Sequence, residues 1–205
     1  SPLLSTVPTE VTEGAIEAIR KEGTELLERV KTYRFEAFKI ERKGITETMF
    51  AKRSTSLLEQ YRKIQLKEGE LITYYLKVQR NEMSESESEH LQKLVSAIKN
   101  LTLAAKSIKG VMHTIVVLKD GEKPEEIALK KAIQTQFNRF YEILDEDATD
   151  TDIHINRSYR ENVNAIYQMG ENSTLRKDEL TSFLHLNSQI KQYMLLYKQS
   201  REGLK

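Results

Sequence analysis

Apolar residues recur at alternating gaps of three and four over stretches longer than twenty residues, and this spacing leaves the chain little choice of fold. One such series is Ile16, Ile19, Gly23, Leu26, Val30, Tyr33, Ala37, Ile40. Another is Leu91, Leu94, Ile98, Leu101, Ala105, Ile108, Met112, Ile115. That rhythm places one apolar stripe on a helix and buries it against other helices. With only 8 Gly and 3 Pro in 205 residues, few positions are free to interrupt the helices. The predicted fold is all-α, with no strand signal.

Six long helices are predicted. The first follows Pro8, where Thr9 can cap, and ends at ERKGIT with Gly44. The second carries Phe50, Leu57, Tyr61, Ile64, Leu71, Tyr75 and Val78, with Ser54 and Glu68 as polar interruptions, and spans close to 50 Å at about 1.5 Å per residue. In MSESESE, both Ser84 with Glu87 and Ser86 with Glu89 have the capping-box spacing that opens a helix. The third helix runs from there to KDGEKP, where Gly121 breaks it, its stripe widened by Ala97, Ala104, Val111 and Leu118. Pro124 suits the first turn of the fourth, with Leu129, Ile133, Phe137, Phe140 and Leu144 inward. The fifth, over about 150–169, presents Ile153, Tyr159, Val163, Ile166 and Tyr167. After the loop GENSTLRK the sixth carries Leu180, Phe183, Asn187, Ile190, Met194 and Tyr197. The predicted organisation is an N-terminal connector over 1–8, a three-helix unit over 9–120 and a shorter three-helix unit over 121–205, each antiparallel.

Composition removes whole classes of function. With 32 basic and 31 acidic residues interleaved and a net charge of +1, no overall field attracts nucleic acid or an anionic membrane surface. The absence of Cys excludes disulfides, thiolate metal sites and cysteine nucleophiles. Apolar runs such as IVVL and MLLY are four residues long, against the roughly 20 a membrane span needs. No direct membrane insertion of this segment is expected. The start SPLLST has neither an initiator Met nor a signal-peptide pattern, and reads as a piece of something longer.

Motifs for chemistry are sparse. Glu87 and His90 have E-x-x-H spacing, but a di-iron bundle needs a second copy and two further glutamates. The run Asp145, Glu146, Asp147, Asp150, Asp152, His154 lacks the glycine turn and closing Glu of a calcium loop, and reads as a solvated connection. His185 falls near the inward stripe of the sixth helix, and Asn187 lies on it, where a polar residue fixes register more often than it holds a ligand. No catalytic, cofactor-binding or metal site is expected, and no cofactor. What stands out is a possible interaction face. Lys99, Lys106 and His113 recur every seven residues opposite the seam of the third helix, with Lys109 to one side and Gly110 between them.

The segments VPTEVTEGAIEAIRKEGTELLERV and SAIKNLTLAAKSIKGVMHTI, with the three-plus-three helix order, resemble PhoU-like helical domains, in particular the version at the C-terminus of bacterial sodium-dependent phosphate cotransporters. The resemblance covers nearly the whole chain. It implies a tandem-repeat bundle and a non-enzymatic regulatory role in phosphate uptake and homeostasis, at the cytoplasmic face of the inner membrane. The implied partners are the transporter membrane domain or other phosphate-uptake proteins, and an oligomer is compatible with the pattern. A free-standing adaptor in phosphate signalling is the alternative, and a metal-dependent bundle enzyme a more distant one. PhoU proteins hold metal clusters through two acids spaced four apart on the third helix of each repeat. The matching positions here are Lys106 and Gly110, then His185 and Gln189, none of which is a carboxylate. The resemblance therefore implies the surface without its metal.

Overall fold

The computed structural model describes residues 2–172 and 175–205. Among these the chain is all-helical, with no strand. Eight helices are present: α1 (Pro2–Thr6), α2 (Thr12–Ala37), α3 (Glu47–Val78), α4 (Glu85–Lys109), α5 (Met112–Asp120), α6 (Pro124–Asp145), α7 (Thr151–Glu171) and α8 (Lys177–Gly203). Two features raise the number above six. The expected connector contains α1, and the expected third helix is divided at Gly110.

The division has a local cause. Glycine has the most backbone freedom to lose in a helix, and Val111 beside it adopts φ −119° and ψ 16°, outside the helical basin. The Val111 amide bonds back to Ile108 over a tight turn at 3.1 Å, and Val111 O then accepts from Ile115 to start α5. Elsewhere the ends shift for similar reasons. The first long helix begins at Thr12, three residues after the expected cap, because the Thr9 carbonyl accepts from Asn81 Nδ2 at 2.7 Å and the Thr12 hydroxyl accepts from the same amide at 3.0 Å. It ends at Ala37. Gly44 takes φ 78° in the turn beyond. The Ser84–Glu87 capping box forms as expected, the Glu87 amide donating to Ser84 Oγ at 3.1 Å and the Ser84 amide to Glu87 Oε1 at 3.0 Å. The loop expected at GENSTLRK includes Ser173 and Thr174, which lie outside the described residues.

The chain forms two compact units, each drawing on segments distant in sequence. The first takes the chain up to Phe35 with Ser56–Lys106 and Leu196–Lys205, and the second takes Glu36–Thr55 with Ser107–Leu195.

In the first unit the α2 stripe up to Tyr33, the residues Leu57, Tyr61, Ile64, Leu71 and Tyr74 of α3 and the Leu91 to Ala105 stripe of α4 are all buried. The rings of Tyr33 and Tyr61 lie 5.9 Å apart. Tyr74 rather than the expected Tyr75 turns inward, its hydroxyl donating to Val7 O at 2.9 Å. The chain's end closes on this core through glycine. A Cβ on Gly23 would lie 2.6 Å from Leu204 Cδ2, and one on Gly203 3.0 Å from Ala97 Cβ.

In the second unit all five expected α6 residues are buried, Phe137 packing edge-on against Phe38 and Tyr193 with centroids at 5.1 and 6.0 Å. The connection before α6 is pinned by the Asp120 carboxylate, which accepts from the Arg42 and Lys43 amides at 3.1 and 3.0 Å. Lys130 Nζ reaches the carbonyls of Lys119 and Gly121 at 3.1 and 2.8 Å. The buried stripe of α7 is Thr151, Ile155, Asn162, Ile166 and Met169. Of the expected inward residues only Ile166 belongs to it, whereas Ile153 is 58% exposed and Tyr167 52%. Polar residues occupy two seam positions, so an apolar pattern alone selects the wrong face.

Candidate functional site

Lys99 and Lys106 lie on α4 about 10 Å apart, two turns at about 1.5 Å per residue, and both are exposed. Leu103 stands between them at 48% exposure, so the patch has an apolar centre flanked by two ammonium groups. The opposite side of α4 is buried from Leu91 to Ile108. The amphipathic split thus fixes which face is presented.

The remaining expected members are exposed too, but the break redistributes them. Lys109 ends α4, Gly110 forms the turn, and His113 rides on α5. A seven-residue column holds only along one uninterrupted helix, so the expected alignment of His113 with Lys99 and Lys106 does not carry across Gly110. By membership, Lys99, Leu103 and Lys106 belong to the first unit, and Lys109, Gly110 and His113 to the second.

Other candidates have local occupations. Glu87 serves the α4 cap, and His90 is exposed. In the acidic run, Asp145, Glu146, Asp147, Asp150 and Asp152 are exposed, and Asp147 takes φ 51° where the chain leaves α6. His154 Nε2 lies 3.2 Å from Gln136 O. His185 is exposed, not near the inward stripe, because Leu186 and Asn187 take the buried positions beside it. Gln189 is half-buried. Among the described residues, no three acidic or histidine side chains gather into a metal-binding group. Among the described residues no single helix is long and apolar enough to cross a membrane.

Two buried polar features escape the sequence patterns. Lys67 of α3 and Glu22 of α2, exposed by only 6% and 4%, form an ion pair inside the first unit, with Glu25 Oε2 3.8 Å from the ammonium. Lys67, not the expected Glu68, fills the seam position between Ile64 and Leu71, because spacings of three-then-four and four-then-three both suit the helix. In the second unit, Asn162 Nδ2 donates to Gln136 Oε1 at 2.9 Å, and Gln136 Nε2 approaches Met194 Sδ at 3.8 Å. Asn187 Nδ2 donates to the Tyr159 carbonyl at 3.0 Å, while its buried Oδ1 has no partner among the described residues. These bonds tie α6, α7 and α8 into one register, the role expected of a polar seam residue.

No protein-family model, no curated protein and no solved structure matches this chain.

Proposed function

We propose that this chain is a non-enzymatic, PhoU-like regulatory domain of a sodium-dependent phosphate transporter, acting by protein contact at the cytoplasmic face of the inner membrane. The observation that carries this proposal is the exposed α4 patch of Lys99, Leu103 and Lys106, set in the third-helix phrase on which the family resemblance rests. Two cations around an exposed leucine suit an acidic protein surface with an apolar centre, since complementary charge guides encounter and the apolar contact holds it. A helical scaffold of this kind works by binding two states of a transporter unequally, so that contact shifts the transport equilibrium. Two repeats related by a pseudo-twofold belong to the same proposal.

The test is uptake of radiolabelled phosphate by cells whose transporter gene retains or lacks this segment, across a range of external phosphate. Deletion is expected to change how uptake responds to phosphate while sodium dependence persists. An unchanged response would dismiss the regulatory role, and a gene that encodes the segment without a transport domain would favour the free-standing adaptor.

A further inference from the structure

Gly69 lies within α3, a helix of 32 residues, and a Cβ added there would meet nothing within 4 Å. A helix interior is less stable with glycine than with alanine. Gly23 and Gly203 have close packing neighbours that explain their lack of a side chain. Gly69 has none among the described residues. It lies instead along an open groove of about 570 Å³, with Leu66 and Thr73 beside it and Leu4 and Ser5 of α1 as one wall. The whole groove lies within the first unit.

The same side of α3 carries three exposed leucines, Leu58 at 38%, Leu66 at 67% and Leu76 at 52%. At about 100° per residue, these three and Gly69 fall within about 80° of one another, away from the core stripe. The exposed Arg62 and Thr73 share this arc, so the face is mixed, with leucines standing around a gap at Gly69, and that relief is shaped to receive another helix.

We propose that the occupant is α3 of a second copy of this chain, packed antiparallel across a two-fold axis. Seating Leu66 of one copy over Gly69 of the other places the axis between residues 67 and 68, and the operation is reciprocal, so each leucine fills the other's gap. That register brings Leu58 and Glu59 to Leu76 and Lys77 of the second copy. Leucine then meets leucine, and carboxylate meets ammonium, at both ends of the contact. Glu59 and Lys77 are both exposed and available for this. The match of knob to gap, apolar to apolar and acid to base, all from one helix with itself, distinguishes a second copy from an unrelated partner.

Sedimentation equilibrium of the purified chain from about 1 to 100 µM tests this. A reversible monomer–dimer equilibrium is expected. Gly69→Lys should raise the dimer dissociation constant by about tenfold or more, as blocking a central interface contact does. At a concentration where the parent is monomeric its thermal midpoint should be held or raised, because in the single chain the added side chain enters open space. Glu59→Lys should weaken the dimer, and Glu59→Lys with Lys77→Glu in the same chain should restore it. A parent chain that stays monomeric, a dimer indifferent to Gly69→Lys, or a double charge swap without rescue would each overturn the proposal.

Discussion

At Gly203 an added methyl group would lie 3.0 Å from Ala97 Cβ and 3.2 Å from the Lys93 carbonyl oxygen, a backbone atom that cannot step aside. Gly203→Ala is therefore expected to destabilise the chain by about 1–3 kcal/mol through overpacking. Gly69→Ala, in open space, should stabilise it by about 0.5–1 kcal/mol. Urea denaturation of both variants checks the opposite signs, and a stable Gly203→Ala would mean that α4 yields. The Lys67–Glu22 pair makes a second test. Removing either charge alone leaves the other buried, at a cost of about 3–5 kcal/mol, softened for loss of Glu22 because Glu25 stays near the ammonium. Lys67→Met with Glu22→Leu removes both charges and should fall near the parent in stability. Single costs that simply add in a double-mutant cycle would contradict this coupling. Tyr33 supplies a pH test. Burial, then the nearby Tyr61, holds its phenol above the usual range, and burial also raises Tyr61 and Tyr74. Below the unfolded value of about 10 both states are protonated. Above it the unfolded chain loses protons first, so stability falls as pH rises through that point. Tyr33→Phe should make the alkaline decline shallower, measured as urea midpoints between about pH 9 and 11, and an unchanged slope would show that Tyr33 does not drive it.

Helix α7 is held by polar contacts as much as by apolar ones. Asn162→Leu strips Gln136 Oε1 of its donor and is expected to cost about 1–3 kcal/mol. Asn187→Leu loses one bond to a carbonyl but also removes a buried oxygen without a partner, so its cost should be smaller. Equal or reversed urea midpoints would contradict that order. These two asparagines also mark what the sequence could and could not convey. The α2 stripe is readable because each of its seven seam residues from Ile16 to Ala37, including Gly23, is apolar or small, and all seven are buried. The α4 stripe is readable for the same reason. Thr151 and Asn162 on the α7 seam are polar; Thr151 donates to the Ala148 carbonyl just before the helix, and Asn162 to Gln136 of α6, a partner in another helix that periodicity cannot register. Lys67 was hidden likewise, since its acid is 45 residues away. The break at Gly110 lies between these cases. Glycine advertises weakness in a helix, but whether the helix yields depends on the packing of its neighbours.

For the molecule as a whole, the α4 patch was visible in sequence as a basic column. Its division at Gly110 became visible only with the helices placed. The groove on α3 was not anticipated, because Leu58, Leu66 and Leu76 fall outside the core rhythm and their exposure is a tertiary property. The proposed action by contact places the regulatory effect on a surface of two lysines around a leucine. That surface can be changed without touching the core, since both lysine side chains are exposed. The most direct measurement is phosphate uptake in cells carrying Lys99→Glu with Lys106→Glu, compared with the parent and with a deletion of the segment. With the thermal unfolding midpoint of the purified variant unchanged, its uptake response to external phosphate should match that of the deletion. A response identical to that of the parent would contradict regulation through this face.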